Sequence, residues 1–226
     1  MAKNQEIQIF QGFDNAFKQE ISSYAKLVRF EKGNIPFFAD DLLKHFYSIL
    51  DGRIKAYQLN LETLKEQTIF IYRKGDMLDT VILLDKLSHN LIYDALEDTQ
   101  ALQFPIEKVR EWIDTKPEFN KKFFPYIASQ MRNTEQLAAD LSLYDTMHRL
   151  ISLLLENMNQ KNTFKYNLLH DLSNTEIANL IGTVRQVVER HLKDLKKQNV
   201  LDTTRKNVSL KDITKLLKKI EQLQLK

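Results

Sequence analysis

Along this chain the spacing of hydrophobic positions changes once, from about two residues to about three and a half. In the first hundred residues the apolar runs are short and closed by turn residues. Leu27–Phe30 ends at Lys32-Gly33-Asn34, Phe46–Leu50 at Asp51-Gly52, and Thr68–Tyr72 at Lys74-Gly75-Asp76. Arg53–Leu59 carries apolar residues at alternate positions, and Leu91–Leu96 and Ala101–Phe104 continue the series. Such runs predict strands, and their spacing suggests a small barrel or β-roll. Asp51-Gly52 between two of them predicts a hairpin, because a tight two-residue turn needs the positive φ that glycine supplies.

After Pro105 the period becomes helical. Pro117 and Glu118 suit a helix start, and Phe119, Phe123, Ile127, Met131, Thr134, Leu137 and Leu141 then recur at steps of three and four. Pro125 predicts a kink or a late start near Tyr126. A stripe this long suits a helix that pairs with its copy in a second chain, with Phe123, Ile127, Met131, Thr134, Leu137 and Leu141 in the seam; the alternative is a helix packed only on its own domain. Met147, Leu150, Ile151, Leu154 and Leu155 predict a further helix.

Ser173-Asn174-Thr175-Glu176 fits a capping box, Gly182 closes the short helix behind it, and Thr183-Val184-Arg185-Gln186 repeats the capping pattern. A longer helix runs from there to about Gln198. Val200-Leu201 and Val208–Leu210 flank a polar turn at Arg205-Lys206-Asn207, and Ile213, Leu216, Leu217, Ile220 and Leu223 mark a last helix. Short helix, glycine turn, longer helix and hairpin make a winged helix-turn-helix, whose second helix enters the major groove. Arg185, Gln186, Glu189 and Arg190 fall on its outward face; Val187, Val188, Leu192 and Leu195 face inward. Arginine matches the acceptor pair of guanine, glutamine matches adenine, and a carboxylate accepts from cytosine. Lys193, Lys196 and Lys197, with Arg205 and Lys206 at the wing tip, are placed to neutralise phosphates. For Gln186 the plainer alternative is that it only completes the second capping box.

Charge supports this division. Residues 1–160 carry 19 Lys and Arg against 23 Asp and Glu, whereas residues 161–226 carry 14 against 7, so a basic third follows an acidic body. Residues 167–226 contain no Phe, Tyr or Trp, which disfavours base stacking and hence single-strand binding. With 226 residues two compact modules are expected. No apolar run reaches the roughly 20 residues of a membrane span, and the first residues lack a secretory pattern, so a soluble cytoplasmic protein is expected. There is no cysteine, and with 5 glycines no phosphate-cradling loop, no G-x-S-x-G and no H-E-x-x-H. An enzyme is not expected. The competing class is a β-roll scaffold or interaction protein with a basic nucleic-acid-binding tail.

Leu172 to Leu201, LSNTEIANLIGTVRQVVERHLKDLKKQNVL, resembles the helix-turn-helix of the CRP/FNR family of bacterial transcription regulators. Lys32-Gly33, Leu50–Lys55, Gly75-Asp76 and Ala95–Thr99 resemble the turn signatures of that family's cyclic-nucleotide-type roll, and Leu141–Asp145 resembles its hinge. The resemblance implies an α+β fold: an N-terminal β-roll of jelly-roll type over 1–112, a long dimerisation helix and hinge over 113–144, and a winged helix-turn-helix over 145–226. It implies a homodimer on palindromic double-stranded DNA, RNA polymerase as a further partner, and a small effector in the roll that acts through Asp140–Asp145. By family position Gln186, Glu189 and Arg190 are expected to face base edges, and with Thr183, Arg185, Lys193, Arg205 and Lys206 they make up the expected DNA-binding set. Gln186 stands where the family has glutamate and Glu189 where it has a small residue, so the half-site need not be TGTGA or TTGAT.

The effector pocket implied by the resemblance comprises Asp79, Thr80, His89, Asn90, Thr134 and Glu135. Cyclic-AMP binders of the family carry Gly-Glu and Arg-Ser or Arg-Thr where this chain has Asp79-Thr80 and His89-Asn90. Without the arginine a buried phosphate loses its bidentate partner, so no useful cyclic-AMP binding is expected. Thr134 matches the threonine that meets adenine, but Glu135 replaces its serine neighbour. The lack of cysteine excludes the cysteine-ligated iron–sulfur mechanism of the FNR branch. Two modes remain: haem of the nitric-oxide-sensing type that some cysteine-poor members of the family use, with His89 or His45 as axial ligand, and an organic effector or none. His148, His170 and His191 show no metal-ligand spacing and receive no role.

Overall fold

The computed structural model describes residues 12–37, 39–158, 172–203 and 208–224. The chain divides into two compact units, residues 1–58 with 69–133 and residues 59–68 with 134–226.

The first unit opens with a helix that the strand pattern did not announce, α1 (Asn15–Tyr24). Asp14 caps it by accepting the Phe17 N–H at 2.7 Å, and Phe13, Phe17 and Ile21, spaced by four, face the core. Then come β1 (Lys26–Phe30), α2 (Ala39–Lys44), β2 (His45–Asp51), β3 (Arg53–Leu59), β4 (Glu66–Arg73), β5 (Met77–Leu78), α3 (Thr80–Asp85), β6 (Ile92–Ala95) and β7 (Thr99–Pro105). They form two sheets, in the orders β1-β7-β2-β5 and β4-β3-β6. In the first, β7 runs antiparallel to β1 (Val28↔Ala101) and to β2 (Phe46↔Phe104).

The expected hairpin at Asp51-Gly52 is not formed. β2 and β3 belong to different sheets, and Gly52, at φ +88°, hands the chain from one to the other. The glycine is required for room as well as for φ, since a Cβ there would run into Asp98 and Thr99. Thr99 Oγ1 accepts the Arg53 N–H at 3.1 Å and donates to the Glu97 carbonyl at 2.8 Å, securing the crossing. Arg53 and Lys55 are buried, and each finds a carboxylate on the chain entering β7 or on β6: Arg53 Nε and Nη2 donate to Glu97 at 3.0 and 3.2 Å, and Lys55 Nζ lies 3.4 Å from Asp94.

Helix α4 (Ile106–Thr115) covers the roll with Ile106, Val109 and Trp112. Trp112 Nε1–H donates to Glu20 at 3.0 Å, and its ring meets Phe17 and Phe104 edge-on. Helix α5 (Pro117–Leu143) follows as one uninterrupted run of 27 residues with Pro125 inside it, so the late start expected from that proline does not occur. Phe119 and Phe123 complete the roll's core. Burying each aromatic contributes about 1.5–3 kcal/mol.

The second unit has its own core of Leu150, Ile151, Leu154, Ile177, Val188, Leu195 and Leu216. It is built from α6 (Thr146–Met158), α7 (Asn174–Leu180), α8 (Arg185–Lys197), the antiparallel strands β8 (Leu201–Thr203) and β9 (Val208–Leu210), and α9 (Ile213–Gln224). This is a winged helix-turn-helix behind a β-roll and a long helix, an α+β architecture.

Candidate nucleic-acid interface and effector site

The reading head is assembled locally. Ser173 Oγ accepts the Glu176 N–H at 3.2 Å while the Glu176 carboxylate accepts the Ser173 N–H at 2.6 Å, so the expected capping box starts α7. Gly182 takes φ +66° in the turn, and the Thr183 N–H closes on the Ala178 carbonyl at 2.9 Å. The second expected capping box is absent. Val184 occupies the cap position of α8 and no side chain caps the helix, because the chain enters α8 one residue later than the Thr183 pattern required.

On α8 the sorting by face matches the physics of the stripe. Val188, His191, Leu192 and Leu195 are buried, while Arg185, Gln186, Arg190, Lys193, Lys196 and Lys197 are exposed. Val187, expected inside, is half-buried. Arg185 Nε donates to Glu189 Oε1 at 2.6 Å, so two residues of the expected DNA-binding set hold each other. That bond keeps the Glu189 carboxyl below the usual glutamate range. Both are surface groups, so a base or phosphate can displace either partner. Arg205 and Lys206 lie outside the described residues.

His191 was given no role in the sequence, yet it is buried, with Nε2 2.8 Å from Thr146 Oγ1. Its only signal there is a histidine on the apolar stripe between Val188 and Leu192.

In the roll, Asp79 caps α3 from the left-handed region, at φ +53°. Its buried carboxylate accepts from the Ile82 N–H at 3.3 Å, from the Tyr93 hydroxyl at 2.5 Å and from His89 Nε2 at 2.8 Å. The His89 ring accepts the Leu91 N–H at Nδ1, 3.3 Å away, so both of its nitrogens are engaged. The Asp79 bond raises the His89 pKa above the ordinary histidine value against the opposing effect of burial. Tyr93 was missed: its place in β6 reads simply as core. Thr80 is buried and Asn90 exposed beside this cluster, while Thr134 and Glu135 are exposed on α5 in the second unit. His45, at the start of β2 beside Pro105 of β7, has a buried Nδ1 without a hydrogen bond. Among the described residues no cluster of three or more metal-ligating side chains occurs.

Along α5 the expected seam divides. Met131 and Thr134 are exposed, and Ile127, Leu137 and Leu141 are half-buried. Phe123 is not on the free face at all: it is 1% exposed, stacked on Phe119 in the roll's core. Its neighbour Phe124 is 52% exposed instead.

Two family models match. The cyclic nucleotide-binding domain aligns with residues 27–116 and the Crp-like helix-turn-helix domain with residues 148–219. The chain belongs to the CRP/FNR family. It is therefore a DNA-binding transcription regulator of the CRP/FNR type, and its relatives are regulators of transcription, not enzymes. It is 24% identical over 214 residues, 93% of this chain and 95% of the relative, to a CRP-like cAMP-activated global transcriptional regulator of Mycobacterium tuberculosis. To the global nitrogen regulator of a Nostoc species it is 26% identical, over 80% of this chain and 83% of the relative. Among solved structures, FixK2 from Bradyrhizobium japonicum shares the fold with a TM-score of 0.74 at 19% identity, over 86% of this chain and 96% of that one. No helix among the described residues is long and apolar enough to cross a membrane.

Proposed function

We propose that this CRP/FNR regulator works in the cytoplasm as a homodimer that reads a palindromic duplex, recruits or blocks RNA polymerase there, and does not respond to cyclic AMP. The observation that carries the reading is the outward face of α8, where Arg185, Gln186 and Arg190 stand exposed and Glu189 half-buried on a helix held by a capped α7 and the Gly182 turn. In a dimer two such helices would enter successive major grooves, with half-site centres ~34 Å apart. Thr183 and Lys193 flank that face and supply backbone contacts, with Arg205 and Lys206 at the wing.

For the seam, the burial of Phe123 favours a heptad register of Phe124, Ile127, Met131, Thr134, Ala138 and Leu141, which alternates steps of three and four. A signal would travel along α5, whose residues belong to both units.

The roll gives no support to cyclic AMP as the effector. The cluster holds no guanidinium for a cyclic phosphate, and the Asp79 carboxylate already accepts three hydrogen bonds. Haem does not fit His89 as it stands, since neither ring nitrogen is free for iron. An uncharged organic effector, or none, is the reading these contacts favour.

The deciding experiment is enrichment from a randomised duplex pool at fixed salt. A palindrome bound more tightly than its scrambled duplex is the expected result. Equal binding of both across salt concentrations would remove sequence reading. Addition of cyclic AMP should leave the affinity unchanged.

A further inference from the structure

Recognition helices packed only by apolar contacts are free to rotate or slide by small amounts, because hydrophobic attraction has no direction. Most of the α8 inward face is of that kind: Val188, Leu192 and Leu195. His191 is the exception, and a buried polar ring in an apolar seam is costly unless it is bonded. Its partner Thr146 is the first residue of α6. That turn is itself held firmly. Asp145 accepts the His148 N–H at 2.8 Å and the Arg149 N–H at 3.1 Å, and the Tyr144 ring stacks on His148 at 4.0 Å.

We propose that His191 is a positioning residue for DNA reading: through Thr146 it fastens α8 to the first turn of α6, and so sets the direction in which its chain neighbour Arg190 leaves the helix. The inference rests on the reading of α8 as the DNA-contacting helix. One residue along a helix is a rise of about 1.5 Å and a turn of about 100°, so a bond at 191 fixes residue 190 with little slack.

The groups around the ring make this contact sensitive to pH. Arg190 on α8 and Lys219 on α9 oppose a positive charge there, whereas Asp145 before α6 and Asp194 on α8 favour one. Burial is the largest influence and holds the pKa below the ordinary 6.5, so the ring is neutral at pH 7. As pH falls through that lowered value, protonation places a charge inside the apolar seam and weakens the hold on α8.

The test uses the full chain and a palindromic duplex enriched by the wild type from a random pool. His191→Leu and Thr146→Val should each weaken binding of that duplex ~5-fold and leave scrambled-duplex binding unchanged. His191→Gln, which keeps a donor at the same reach, should retain the affinity and lose the fall expected of the wild type as pH drops through the lowered His191 value. Unchanged affinity in both His191→Leu and Thr146→Val would overturn the proposal while leaving DNA reading intact. Should His191→Leu not fold, Thr146→Val decides alone, since it only exchanges a half-buried hydroxyl for a methyl. If the wild type enriches no duplex, the DNA-reading assignment falls and this one with it.

Discussion

His89 Nε2 lies 2.8 Å from Asp79 Oδ2, and that contact ties the segment after α3 back onto the cap of the same helix. Tyr93 donates to the same carboxylate, so three residues of the roll are joined by hydrogen bonds on one carboxylate. The His89 pKa is raised chiefly by its bond to Asp79. A raised histidine pKa contributes stability that is complete below the unfolded value of about 6.5 and is lost as pH rises through the folded value. The His89 ring protons should therefore titrate with a midpoint above 6.5 by NMR, and Asp79→Asn should bring the midpoint down. A midpoint that ignores Asp79→Asn would mean the contact does not persist in solution.

On α8, Arg185 and Glu189 hold each other, and this restrains a cation that would otherwise reach phosphate. Glu189→Ala should strengthen binding to duplex of any sequence severalfold and steepen the salt dependence by about one unit of log–log slope. Arg190→Ala should instead cost ~1–3 kcal/mol on the selected duplex and relax the preference at one base pair. Titrations of the selected and scrambled duplexes at three salt concentrations separate the two behaviours.

Phe123 and Phe124 are neighbours with opposite duties. Phe123→Ala should lower the unfolding free energy of the roll by ~3–5 kcal/mol, because the cavity it leaves is inside the core. Phe124→Glu and Met131→Glu, at exposed positions, should leave thermal unfolding of the roll nearly unchanged and weaken the dimer by ~1–3 kcal/mol through a charge buried in the seam. Sedimentation velocity with calorimetry tests both, and a dimer unaffected by Met131→Glu would move the seam elsewhere.

The two capping patterns should respond differently to alanine. Ser173→Ala removes a bond that is made and should cost ~1 kcal/mol. Thr183→Ala removes no cap and should stay within ~0.5 kcal/mol. Chemical denaturation of both variants is sufficient, and a costly Thr183→Ala would show that the hydroxyl has a partner in solution.

Much of the second unit could be read directly because its signals are local. Ser173 and Glu176 are three residues apart, Gly182 marks the turn, and the α8 stripe repeats within two turns, so the chain encodes these features over distances that a single helix spans. The composition likewise separates a basic carboxyl third, which carries the helix-turn-helix, from an acidic body.

Only the tertiary structure decided what depends on partners far apart in sequence. Gly52 satisfies the rule for a hairpin and for a sheet crossing equally well; the pairing of β2 with β7 some fifty residues away selects the crossing. Phe123 and Phe124 both fit a broad apolar stripe, and the choice between core and free face was made by the packing of Phe119 and the roll. Asp79, His89 and Tyr93 become one site because α3 and β6 bring them within hydrogen-bond reach, and His191 finds Thr146 across 45 positions of chain. Periodicity reports which side of an element is apolar. It carries no information about which neighbour covers that side, and burial of a polar group is affordable only where that neighbour supplies the matching donor or acceptor.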